Sequence, residues 1–177
     1  MSTVLTHIVV PLAAGAGLGH RIIPPRLLLL GCLFAVLPDV DVIGFYLGIS
    51  YYSPFGHRGF THSVPFAVFA GILAATAHRW MGARKLNTIL FLSFSMVSHG
   101  VLDALTNGGL GIGFAWPFTN ERYFLPWREL PVPSMGIRYL LGNWNIYVLK
   151  MEIYRVWIPM ALIFVGLRAL RYGYFKR

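Results

Sequence analysis

Charge is what this sequence has least of. Only 12% of its 177 residues are Asp, Glu, Lys or Arg, and just six are acidic, where an ordinary soluble domain carries about a quarter charged residues. With 56% hydrophobic residues and a mean hydropathy of +0.63, that scarcity excludes a water-soluble domain. Cysteine is nearly absent too. Cys32 stands alone in an apolar run, so no intramolecular disulfide can form and the redox compartment stays undetermined. The N-terminus lacks a basic stretch leading to a cleavage site, so no removable signal peptide is expected. Nor is there a basic-aromatic module of the kind that binds nucleic acid, an internal repeat, or the short alternating segments of a membrane barrel.

What is present is a set of long apolar runs, and in lipid such runs satisfy their backbones as helices. Five emerge: Val4 to Leu18, Leu27 to about Tyr46, Phe60 to Ala77, Leu86 to Leu105, and Val156 to Leu170. The expected fold is an all-α integral membrane protein, a bundle of about five transmembrane helices. The first, third and fifth runs are short against the roughly 20 residues that a bilayer asks for, so they are expected to extend into their polar flanks. The chain reads as one membrane domain: 1–107 carry the candidate site, 108–155 form a connector, and 156–177 are the last helix and a basic tail. The connector is rich in Trp, Tyr, Phe and Pro and reads as a segment lying in the headgroup zone.

Basic residues set the orientation. Arg21 and Arg26, then Arg79, Arg84 and Lys85, then Arg168, Arg171, Lys176 and Arg177 fall in regions with no acidic residue. These regions read as cytoplasmic, with the N-terminus and the connector on the other face.

The rare ionisable residues are the informative ones. All three aspartates, Asp39, Asp41 and Asp103, sit in or at the end of apolar runs, where charge is costly and functional by default. His99 and Asp103 share a helical face at i, i+4. Asp39 and Asp41, two apart, diverge on a regular helix unless Pro38 irregularises the backbone. In Gly56-His57-Arg58-Gly59-Phe60-Thr61-His62-Ser63, a glycine-bearing loop runs into a helix and places two imidazoles near one another. With the topology drawn from Lys and Arg alone, His7, Asp39, Asp41, His57, His62, His99 and Asp103 all fall at similar depth on the outer face. His20 and His78 lie in the basic turns and serve as internal controls. Each member alone has a plainer reading, such as an interhelical hydrogen bond or a helix cap; together they suit a divalent metal. One or two ions fit the set, zinc first, with manganese or iron as alternatives. Arg58 is the candidate to bind an anionic oxygen, and with Asp39 it is a candidate catalytic residue. Thr61, Ser63, Thr106 and Asn107 are candidates to orient the ligands.

Thr6-His7, Pro38-Asp39-x-Asp41, His57-Arg58-Gly59-x-Thr61-His62-Ser63 and His99-x-x-x-Asp103 with Thr106 resemble the YdjM-like family of bacterial inner-membrane proteins, called membrane-bound metal-dependent hydrolases. The His/Asp pattern is also distantly similar to zinc-dependent phospholipase C. The resemblance covers residues 6 to 107 and implies a metal hydrolase with those seven residues at motif positions. The expected function is hydrolysis of a phosphoester or phosphoanhydride of a lipid at the outer leaflet of the inner membrane. The expected partner is a lipid or lipid-linked phosphate, with no nucleic acid. An acyl ester or amide hydrolase, a metal transporter or sensor, and a structural polar lock remain as alternatives. The orientation is testable by cysteine accessibility in a Cys32-free background: Gly82→Cys is expected to label from the cytoplasmic side and Asn120→Cys from the opposite one. Labelling of both from one side would overturn the topology.

Overall fold

A computed structural model describes residues 2–134 and 142–174. Among the described residues, regular structure is helical throughout, with two isolated one-residue bridges, Thr106 to Leu130 and Ile112 to Tyr123. The helices are α1 (Val4–Leu18), α2 (Pro25–Phe34), α3 (Ile43–Tyr46), α4 (Val64–Ala74), α5 (Lys85–Ala104), α6 (Asn143–Glu152) and α7 (Ile158–Tyr174). Pro25 opens α2 at the position where a missing N–H costs nothing. Ser63 caps α4 by accepting from the Phe66 amide at 3.2 Å. Of the connector and tail expected from the sequence, Arg138, Tyr139, Lys176 and Arg177 lie outside the described residues.

Three stretches are long and apolar enough to cross a bilayer: Pro25–Tyr46, Lys85–Ala104 and Asn143–Gly173. Helix α1 and Val64–Ala77 are apolar but shorter. At 1.5 Å per residue α1 rises roughly 22 Å, less than the hydrocarbon core of about 30 Å. By length alone, then, three crossings are supported rather than five.

Helix α5 is the hub. Helices α1, α2 and α4 all pack against it, and α1 also packs along α7. The polarity is inverted relative to a soluble protein. Leu29, Phe69, Leu73, Leu90 and Leu162 are exposed, whereas Thr6, Ser95, His99, Asp103 and Glu152 are fully buried. Only an apolar surrounding makes that arrangement favourable. Close approach of α2 to α5 depends on Gly31, where a Cβ would collide with the Phe91 ring and meet the Ser95 hydroxyl.

Two expectations need correction. The last helix does not begin near Val156; helical structure runs from Asn143, through a π-helical turn at Ile153–Trp157, into α7. Val148, Glu152 and Val156 are all buried, and their spacing of four makes one inward stripe. Polar residues between them hid that stripe in the mean composition. The second concerns the first and third runs: α1 ends with its apolar run at Leu18, and Phe60–Ala77 holds α4 between two 3-10 turns, so neither extends into its polar flanks as expected. The connector, expected in the headgroup zone, is tied to the bundle through its backbone. Leu125 donates to Ala104 O at 3.0 Å, Asn107 to Leu130 O at 2.9 Å, Val64 to Phe114 O at 2.9 Å and Gly113 to Arg58 O at 3.0 Å. A chain without long helices must find partners for its amides, and residues 106–134 find them on the loops at the ends of α5 and α4. Phe118 and Trp127 stay on the surface, but the backbone beneath them forms a roof over one end of the bundle.

The α2–α5 contact gives a stability prediction. Gly31→Leu is expected to destabilise by about 1–3 kcal/mol through overpacking. Gly166→Leu, at a position with nothing nearby, is expected to be neutral. Thermal unfolding of both variants in one detergent decides, and equal melting would refute the close packing.

Candidate metal centre

The roofed end of the bundle holds the residues singled out from the sequence. A 3-10 turn, Leu37–Val42, follows α2 and contains Pro38. It turns both Asp39 and Asp41 inward, where a regular helix would have separated them. The Gly56–Gly59 loop then folds beneath the roof. Gly59 has no room for a side chain, since a Cβ would run into the backbone oxygens of Pro54 and Gly56. Arg58 adopts a left-handed backbone with φ of 67°, a conformation costing about 1–3 kcal/mol for a residue other than glycine. Arg122, from the connector, donates to His57 O at 2.8 Å, Ser53 O at 2.9 Å and Tyr51 O at 3.0 Å, and so fastens the loop from above.

Donor atoms gather in two groups, each within 4.8 Å: Asp39, His62, His99 and Asp103 in one, and Asp41, His57 and His62 in the other. Six of the seven expected ligands are therefore brought together, and His62 belongs to both groups. The two groups differ in how far their atoms are already satisfied. Asp41 is engaged on both oxygens. Its Oδ1 lies 2.6 Å from His57 Nδ1, and its Oδ2 accepts from the Thr61 hydroxyl at 2.6 Å and the Arg58 amide at 3.2 Å. Asp39 is the opposite case: both of its oxygens are buried without a hydrogen-bond partner.

Proton positions sharpen this contrast. His99 Nδ1 lies 2.7 Å from Ala35 O, which can only accept, so Nδ1 carries a hydrogen and in the neutral ring Nε2 is the lone-pair nitrogen. His62 Nδ1 lies 3.0 Å from the Thr61 hydroxyl and 3.2 Å from Asp41 Oδ2. The Thr61 hydrogen is committed to Asp41, so His62 Nδ1 again carries a hydrogen, and in the neutral ring Nε2 is the lone-pair nitrogen. The two Nε2 atoms face each other at 3.2 Å, within hydrogen-bonding distance when one of the two rings is an imidazolium. Asp39 Oδ1 stands 3.3 Å from His99 Nε2 and 3.8 Å from His62 Nε2, and Asp103 Oδ2 is 3.9 Å from His99 Nε2. Lone pairs converging in a buried space repel unless a proton or a metal cation lies among them. Histidines fixed through one nitrogen by a carbonyl or carboxylate, with the other nitrogen turned to a common point, have the arrangement of metal ligands. The residues present fit a divalent ion.

His7 stands outside both groups. Its ring stacks on His99 with centroids 3.8 Å apart and planes 15° from parallel. Its Nε2 meets the Ser2 hydroxyl at 2.9 Å and Asp103 Oδ1 at 3.5 Å. Serine and aspartate share one nitrogen, so this is not the relay of a catalytic triad. Arg58 is also placed differently from an anion clamp. It is 1% exposed and is the largest fully buried side chain. One terminal nitrogen donates to Gly108 O at 2.9 Å and Leu110 O at 2.8 Å, the other to Thr106 Oγ1 at 3.2 Å. Its Nε faces Asp103 Oδ2 at 3.3 Å. This guanidinium braces Asp103 against the roof. Removing it would leave a buried carboxylate without its cation, at a cost of about 3–5 kcal/mol.

Of the expected orienting residues, Thr61 and Thr106 serve the centre, Ser63 caps α4 instead, and Asn107 uses its amide to hold the roof. The control histidines stay away: His20 is exposed, and His78 bonds the carbonyl of Ala83 at 2.9 Å. Ser2, Arg122 and Glu152 were not singled out from the sequence. Only the last had a legible signal, a lone carboxylate four residues from Val148 and Val156 on an otherwise apolar stripe.

A helical membrane protein whose buried His/Asp centre is roofed by its own connector is the class that fold and site define. Within that class the chain belongs to the YdjM inner membrane protein family, which it matches over residues 1–175. It is 43% identical over 164 residues to the inner membrane protein YbcI of Escherichia coli (strain K12), covering 92% of this chain and 95% of that relative. Both descriptions give a location and name no activity. No solved structure matches.

The unequal satisfaction of the two aspartates gives a prediction. Purified protein is expected to hold one divalent ion per chain. Asp39→Ala and His99→Ala should lose it, and His78→Ala should keep it. Asp41→Asn should keep the ion but bind it about 10–100-fold more weakly, as loss of an orienting partner does. Elemental analysis and chelator competition read all four, and equal metal in every variant would leave the cluster purely structural.

Proposed function

We propose that this protein is a membrane-embedded metal-dependent hydrolase acting on a lipid, with one ion held by Asp39, His62, His99 and Asp103. The observation that carries the reading is the convergence of His62 Nε2, His99 Nε2 and an Asp103 oxygen with Asp39, both of whose oxygens are buried without a hydrogen-bond partner. Zinc suits two imidazoles and two carboxylates, with manganese or iron as alternatives. When bound, such an ion supplies a polarised substrate oxygen and a water acidified toward neutral pH. The chain's own residues do the rest. Asp41 fixes His57 and His62 through their Nδ1 atoms, Ala35 O fixes His99, and Arg58 holds Asp103. The 106–134 roof limits entry of bulk water. Asp39, with neither oxygen engaged, is the side chain best placed to act on the reacting group as well as to ligate.

The location supports catalysis over transport. His99 and Asp103 occupy the last turns of α5, at one end of the bundle, whereas a transport site belongs near the midplane. We place the bundle in the inner membrane with five crossings, the two shorter helices included, and the site on the periplasmic face, as the basic turns require. The lipid substrate follows from that depth. The choice of a phosphoester rests on the likeness of the His/Asp pattern to zinc-dependent phospholipase C. A lipid acyl ester is the second reading, favoured by Arg58 itself, whose donors are committed to protein oxygens rather than left for a phosphate.

One assay separates the readings. Zinc-loaded protein in mixed micelles with phosphatidylglycerol is expected to release a phosphorylated or phosphate-free headgroup product. Fatty acid release instead would select the acyl reading. Asp39→Ala should abolish either product. Turnover equal to wild type in that variant, or no product from any glycerophospholipid, would remove the hydrolase reading.

A further inference from the structure

Glu152 is a carboxylate with no exposed surface, on the inward stripe of an otherwise largely exposed helix that packs along α1. A buried charge in such a place is costly and needs compensation. Among the described residues, its hydrogen-bond partners come from one short segment at the other end of the sequence. Thr3 N donates to Oε1 at 2.7 Å, Thr6 Oγ1 donates to Oε2 at 2.7 Å, and the Thr3 hydroxyl makes a very short bond to Oε2. Trp157 Nε1 adds a fourth link, donating to Thr6 Oγ1 at 2.8 Å. Five residues apart on an α-helix, Glu152 and Trp157 would point about 140° away from each other. The π-helical turn Ile153–Trp157 widens the helix to five residues per hydrogen-bonded turn and brings them to the same face. Turns of this kind recur at functional sites.

The segment so gripped reaches directly into the metal centre. Ser2 N donates to Asp103 Oδ1 at 3.0 Å. The Ser2 hydroxyl meets His7 Nε2 at 2.9 Å, and His7 stacks on His99. Two of the four donors, Asp103 and His99, thus have one side set by residues 2–7. We infer that Glu152 is a positioning residue for the metal centre: it locks the Ser2–His7 segment against Asp103 and His99 so that their donor atoms converge. This rests on the metal reading above and adds the last helix to it, although no donor of either group comes from that helix.

Glutamine replaces Glu152 poorly here, because it keeps an acceptor for the Thr3 amide but puts an NH2 where Oε2 accepts from two hydroxyls, one of which already accepts from Trp157. Glu152→Gln is therefore expected to weaken zinc binding about 10–100-fold, the scale of a lost orienting partner. The double variant Thr3→Val/Thr6→Val should match it, and adding Glu152→Gln to that double variant should cost little more, because one lock is already open. Trp157→Phe cuts a bond at the same junction but leaves the carboxylate grip, so it should change zinc affinity less than about threefold. Chelator competition on purified, monodisperse protein reads affinity, and metal-free melting temperatures report helix docking separately. Zinc affinity equal to wild type in both Glu152→Gln and the double threonine variant would overturn this inference while the metal reading stands. Equal loss in Trp157→Phe would reduce Glu152 to helix docking and overturn it as well. Absence of zinc from the wild-type protein would remove the metal reading itself, and this inference with it.

Discussion

Two imidazoles and two carboxylates that converge on one buried point are the constraint on which this structure turns. His62 Nε2 and His99 Nε2 stand 3.2 Å apart, each on a ring whose other nitrogen is already hydrogen-bonded. Both oxygens of Asp39 join them without a partner of their own. In an apolar bundle such a cluster of polar groups is costly, so it persists only within a scaffold that prevents relaxation. The scaffold is visible on every side: Ala35 O behind His99, Thr61 and Asp41 behind His62, and Arg58 and Ser2 against Asp103.

The surrounding lipid explains why that scaffold takes this form. A soluble protein could let water complete the hydrogen bonds of an irregular loop. Near a bilayer each such loop must be completed by protein. The connector therefore does two jobs, covering the centre and supplying partners for the helix-end backbones it covers. Arg122 is the clearest case, spending its guanidinium on three carbonyls of the loop that carries His57 and Arg58. The strained backbone at Arg58 belongs to the same economy. A left-handed residue there aims the buried guanidinium at Asp103 and the roof at once, and the surrounding bonds hold it against its preference for another conformation.

Membership in the YdjM inner membrane protein family agrees with this picture without adding chemistry to it. The chemistry comes from the residues. Asp41 shows how finely the site divides its labour. Two carboxylates sit two residues apart on one turn, yet Asp41 is saturated by hydrogen bonds while Asp39 has none. One is held against the histidines it orients, and the other keeps both oxygens unengaged within the cluster of His62, His99 and Asp103.

The sequence by itself determined the membrane class, the helical fold and six of the residues that gather at one end of the bundle. It did so because charge and imidazole are so expensive in lipid that their mere presence in apolar runs marks them. Helix α1 coincides with its apolar run, without the extension into polar flanks that its shortness suggested, and the pairing of His99 with Asp103 followed from helical spacing alone. The partition of the ligands was not legible, nor was the exclusion of His7, the inward commitment of Arg58, or the part played by Glu152. Each depends on which atom of a side chain meets which atom of another element, 50 residues from Arg58 to Gly108 and 146 from Thr6 to Glu152. Composition and periodicity report that a residue faces inward. Only the packed helices decide what it meets there, because hydrogen bonds are directional and a rotation of one ring exchanges a ligand for a donor.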